Sequence, residues 1–351
     1  MIQSRAEQSR AEQSRVTYLD VFRGLGILLM VMGHIGFCGA FDKFIHAFHM
    51  PMFFFVSGYF YRKKDIAFQD YFAKKKQPFL LPYVLTGVIC YGVWLILQMH
   101  HQHQGVIHFL KPIYYLLWTN TDGLPIAGAL WFLTALFFCN VLYFALDRWI
   151  TDIRILTGVI LVIALAGNLL PSLLPHRLPW AMDAAFVGMG LYHVARLLHS
   201  CEKRNVFRMN ILFDMNIVQI LVLGFIITAL IFVNGAINLR AGTYTFIPLF
   251  WINAIGASLV GWSIARKTDS CEKGFLSISA RWLRCVGKDS LVYLCWNQLA
   301  ILIVTKIMIH IVGDSVSVPV LHTMILILTM PFLWGMDPLL QNTRLRILLG
   351  K

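Results

Sequence analysis

Apolar residues run through this chain in long blocks, and polar residues interrupt them at intervals close to the width of a bilayer. Ten blocks of helix length stand out, at about 18–38, 44–61, 79–98, 128–146, 151–170, 180–198, 213–233, 246–265, 289–309 and 319–338. Each is near the ~20 residues that a helix needs to cross the hydrocarbon core, the second being the shortest. The pattern predicts an all-α polytopic membrane protein with about ten transmembrane helices, which places both termini on one side. The stretch Phe109–Ala127 mixes apolar residues with Pro112, Gly123 and Pro125 and reads as re-entrant or interfacial. Residues 1–15 repeat Gln-Ser-Arg-Ala-Glu. Such a segment is too short and polar to pack alone, so a disordered tail is expected there.

Composition agrees. Of 351 residues, 58% are hydrophobic and only 13% charged, which excludes an ordinary soluble domain. The net charge of +13 would suit nucleic acid if it formed one patch, but it is spread over alternate loops. All but five of the 30 Lys and Arg residues fall in the N-terminal tail, the even-to-odd connections and the C-terminus; the exceptions are Lys43, Lys111, Arg177, Arg240 and Lys306. Positive residues concentrate on the cytoplasmic side, so both termini are expected there, including a basic tail over 339–351. The partners this implies are membrane lipids and no nucleic acid. The seven cysteines form no Cys-x-x-Cys pair and read as small apolar residues, and no metal is expected. His100, His101, His103 and His108 lack the helical spacing and carboxylate of a metal motif and read as a solvated loop.

Ionisable side chains inside apolar sequence need a reason to be there. Most of them lie in Tyr18–Arg62, as Asp20, Arg23, His34 and His49. Arg23 and His34 share one helix face and stand roughly 16 Å apart along the axis. Asp20 is placed to pair with Arg23 three residues on. His49, in the second span, falls at a depth similar to His34 in a helical hairpin. Two readings are open for the histidines: interhelical hydrogen-bonding groups, or proton-handling groups. The loop Arg62–Gln77 carries six positive charges and reads either as a topology signal or as an electrostatic mouth for an anionic cofactor. Trp131 is either an interfacial anchor or an aromatic face for a ligand ring. Asp183 either pairs with Arg177 or His176 or lines a cavity.

The run Tyr18-Leu19-Asp20-x-x-Arg23-Gly24, the Arg23-x10-His34 spacing and FHMPMFFFVSGY at Phe48–Tyr59 resemble the membrane acyltransferase-3 family, the sugar O-acyltransferases. The last of these is closest to its fucose-4-O-acetylase-like branch. LWFLTAL from Leu130 and VGKDSL from Val286 resemble two later segments of the family, in the expected order. The resemblance covers about 16–338 as one membrane domain in a bacterial inner membrane. It implies acetyl-CoA as acyl donor and a hydroxyl of a surface polysaccharide, glycolipid or lipid-linked sugar as acceptor.

It also implies roles. O-acyl transfer needs a base, and His34 is expected to be that base, with His49 orienting His34, the acceptor or the oxyanion. Arg23 is expected to meet the donor's phosphates, held by Asp20. Where relatives carry an Arg-x-x-Arg pair, this chain has lysines, so Lys75 and Lys76 take that place without Arg's bidentate fork. Where relatives often carry a histidine after the late Gly-Lys segment, this chain has Asn297, which can orient a substrate but not take a proton. Trp131 and Asp183 are the acceptor-side residues. From a different class, a transporter or flippase for a lipid-linked sugar or small solute would also use buried His, Asp and Arg.

Overall fold

The computed structural model describes residues 2–98, 105–119, 124–203, 210–313 and 316–350. His100, His101 and His103, and the basic run beyond Lys203 to Arg208, lie outside them. The described chain is helical apart from loops and one hairpin of two two-residue strands. The helices are α1 (Ile2–Ile35), α2 (Gly39–His46), α3 (His49–Tyr59), α4 (Phe68–Gln98), α5 (Val106–Tyr114), α6 (Trp131–Trp149), α7 (Ile153–Leu173), α8 (Met182–Lys203), α9 (Asn210–Phe213), α10 (Ile217–Asn234), α11 (Ile247–Asp269), α12 (Gly274–Lys288), α13 (Ser290–Val312) and α14 (Val318–Gln341). Strands β1 (Ile237–Asn238) and β2 (Thr243–Tyr244) pair antiparallel between α10 and α11.

Among the described residues, eight helices are long and apolar enough to cross a membrane, including Thr17–Ile35 of α1. Two of the ten expected spans are built differently. The second is broken at Ala47 and Phe48 into α2 and α3. The 11 residues of α3 reach only about 17 Å. Nearly every side chain of α3 is buried, against α1, α8 and α11, so it is a core helix whose apolarity serves protein packing rather than lipid. The sixth, α8, has 22 residues but carries Asp183, His193, Arg196, His199 and Glu202 on faces covered by α3, α6 and α7. The basic stretch expected as a loop is also partly helical. Lys74, Lys75 and Lys76 sit in the opening turns of α4, where lysine is a good helix former, and the helix continues through Pro78 and Pro82.

Helix α1 is central and packs on α12, α11, α3 and α13. Its crossing with α12 is made backbone to backbone by two glycines. A Cβ on Gly24 would strike the carbonyl of Leu283, and one on Gly287 would strike the carbonyl of Asp20. The start of the α1 span is pinned by Thr17, whose hydroxyl donates to Asp269 Oδ2 (2.7 Å), and Asp269 in turn pairs with Arg284 (2.6 Å). Helix α10 turns Ile217, Val218, Leu221 and Phe225 outward, as a lipid-facing helix does.

Candidate active site

Three histidines meet because three helix ends meet. His34 lies in the last turn of α1, which stops where Gly36 adopts φ +78°. His46 lies in the last turn of α2, and His49 opens α3. The turn through Ala47 and Phe48 folds these ends together, and the His46 and His49 rings stand edge to face at 5.2 Å. With Met30, Trp131 and Arg240 they line a cavity of about 110 Å³. No carboxylate lines it among the described residues. Nor is any group of three or more His, Cys, Asp or Glu among them placed to hold a metal ion.

Hydrogen bonds fix the rings. His46 Nδ1–H donates to the carbonyl of Asp42 and His49 Nδ1–H to that of Ile45, both at 2.7 Å. His34 is held by α13. The Gly128 N–H donates to Gln298 Oε1, which turns the Gln298 NH2 toward His34 Nδ1 at 3.1 Å. A Cβ on Gly128 would meet Arg240 Nη1 at 2.6 Å and Gln298 Nε2 at 3.0 Å, so the absence of a side chain there lets both groups keep their places. This glycine sits in a tight turn before α6 where Ile126 adopts φ +57°, a strained conformation for a β-branched residue.

Arg240 is delivered by the β1–β2 hairpin. Buried Asp183 pairs with Arg177, whose Nη1 donates to the Arg240 carbonyl at 2.8 Å. Asp183 therefore pins the hairpin and does not line the cavity. Trp131 does, with 3% of its surface exposed. Asn297 does not reach His34, because its amide donates to the carbonyls of Tyr293 (2.9 Å) and Leu294 (2.7 Å) within its own helix. Its neighbour Gln298 is the residue of α13 that meets His34. His108 packs against the ring of Trp94 at 5.2 Å.

A second cavity, of about 230 Å³, lies at the other end of the α1–α3 seam. Arg23, Arg62, Lys64 and Lys75 line it, again with no carboxylate among the described residues. Asp20 pairs with Arg23 at 3.1 Å from outside the lining, and Arg23 also lies over the Phe60 ring at 5.2 Å. Lys75 is held over Tyr71 (5.5 Å) and Phe79 (5.7 Å), whereas Lys76 is exposed and not part of the lining. The Tyr61 wall is fixed by a network that the sequence did not signal. Asp147 accepts from Tyr61 Oη (2.8 Å) and Arg196 Nη1 (2.7 Å), and Lys63 donates to its carbonyl (2.7 Å). Burial pushes the Tyr61 phenol well above its ordinary range, and its bond to Asp147 adds to this, so it stays protonated. Between the two cavities the seam is filled. Phe53 lies on Gly26, where a Cβ would meet its Cζ at 2.8 Å, and Phe132 packs against Phe53 (5.6 Å) and Phe54 (5.1 Å).

No curated protein and no solved structure matches the chain. A family model, that of the acyltransferase domain of acyltransferase family 3, matches residues 16–336, which takes in both cavities and runs from the α1 span into α14. This multi-pass chain therefore belongs to the acyltransferase-3 family and is an acyltransferase.

Proposed function

We propose that the protein moves an acetyl group from acetyl-CoA to a hydroxyl of a cell-surface polysaccharide, glycolipid or lipid-linked sugar in a bacterial inner membrane, with both termini in the cytoplasm. The observation that carries this reading is the pair of cavities served by the same two helices. The α1–α3 seam offers four cations at one end and three histidines at the other. A cluster of cations without a carboxylate suits the phosphates of coenzyme A. Arg23 and Lys75 are held by the contacts described above, Arg62 by donating to the carbonyls of Tyr59 and Tyr61, and Lys64 completes the cluster from the loop. The rise of roughly 16 Å between Arg23 and His34 suits an extended donor arm that ends in a thioester at the histidines. There, His34 and His49 share the work of taking the proton of the attacking hydroxyl and stabilising the oxyanion, and Trp131 offers a flat apolar face to a sugar ring.

The test is the ester-bound acetate on surface glycans of cells lacking the protein. Complementation with the wild type restores it, and His34→Ala at matched membrane levels does not. Full restoration by His34→Ala would remove that histidine from the reaction. No change in any acyl ester on deletion would leave a transport role as the better reading.

A further inference from the structure

The hydrogen bonds around the histidine cavity divide the labour between the rings, given the acyl-transfer reading above. A backbone N–H only donates, so the Gln298 atom that meets Gly128 is its oxygen. Its NH2 then faces His34 Nδ1, and an NH2 only donates. His34 Nδ1 therefore carries the lone pair, and the proton of the neutral ring sits on Nε2. His49 is the opposite case. A carbonyl only accepts, so Nδ1 carries the proton and Nε2 the lone pair. His46 has the same tautomer as His49, but its ring is less buried and is carried by α2 rather than by α1 or α3, the two helices of the seam.

We propose that His49 Nε2 is the proton acceptor of the transfer, that His34 Nε2–H donates a hydrogen bond to the thioester carbonyl oxygen, and that Gln298 is the positioning residue that holds His34 in this tautomer. The acceptor oxygen forms a bond to the thioester carbon as its proton passes to His49. The carbonyl electron pair moves to oxygen, where His34 Nε2–H and the Arg240 guanidinium face the developing charge. Collapse breaks the C–S bond, and the coenzyme A thiolate takes the proton back from His49. The products are the ester and the free thiol, with no other reactant. This exchanges the roles that motif spacing alone suggests. The charged or titratable groups facing His49 are His34 from α1, His46 from α2 and Arg240 from the hairpin.

The experiment uses membrane vesicles from expressing cells, which hold the native acceptor, and labelled acetyl-CoA as the probe. Transfer into vesicle-bound glycan is followed against pH. A Gln side chain donates a hydrogen bond but takes no proton, so it separates the two roles. His49→Gln is expected to lose about 10²–10⁴-fold and to abolish the fall in rate on the acid side of the profile. His34→Ala is expected to lose about 10²-fold, while His34→Gln regains part of that loss and keeps the acid-side fall. His46→Gln keeps it too. Nitrogen-15 spectra of the purified full chain read the tautomers directly. His34 is expected as the Nε2–H form in the wild type and as a mixture in Gln298→Leu, a change that merely structural damage would not produce. The proposal is overturned if His34→Gln or His46→Gln removes the acid-side fall while His49→Gln keeps it, or if His34 is found with its proton on Nδ1. A wild type that transfers no acetyl group overturns the functional reading beneath it instead.

Discussion

Arg23 and Lys75 face one cavity and Lys76 does not, so the three cations separate by experiment. Arg23→Ala and Lys75→Ala are expected to raise the KM for acetyl-CoA about tenfold each, with kcat nearly unchanged, and Lys76→Ala to leave both alone. Steady-state kinetics at low salt checks this, since added salt screens such contacts and blunts the difference. The Arg23–His34 stripe was legible because both residues lie on one helix and helical spacing is arithmetic. His46 was not, because its approach to His49 depends on the break at Ala47 and Phe48, where the sequence offers neither Gly nor Pro. Gln298 was missed by one position. A residue is worth 100° on a helix, and that turn sends Asn297 back to its own backbone and Gln298 to His34.

Elements explain what motifs hide. The Arg-Gly run near the start of the α1 span and the late Gly-Lys run stand far apart in sequence, yet Gly24 and Gly287 make a single crossing of α1 with α12. Gly287→Ala is expected to destabilise the protein by about 1–3 kcal/mol, read as a lower melting temperature in detergent. Gly128→Ala acts elsewhere. It displaces Gln298 and Arg240, so activity should fall while the melting temperature holds. Asp183→Asn leaves Arg177 buried without its counter-charge and frees the hairpin, a loss of about 3–5 kcal/mol that thermal unfolding would register. The long lipid-facing helices were legible from hydropathy. Helices α3 and α8 show its limit, because an apolar run says only that water is excluded and not whether lipid or protein excludes it. The four-residue hairpin carries too little pattern to be read at all.

At the scale of the molecule, two polar cavities open at opposite ends of one seam, and the seam between them is packed with rings. Phe53 on Gly26, backed by Phe132, closes the line from Arg23 to His34. A cell membrane stores about 2.3 kcal/mol per elementary charge for every 100 mV across it. Any wire of water joining the two cavities would short that battery. The rings are thus insulation as well as packing, and on the proposed reading the donor arm that parts them must itself serve as the stopper. Phe53→Ala should make vesicles lose an imposed pH gradient faster than the wild type, and added acetyl-CoA should slow the leak.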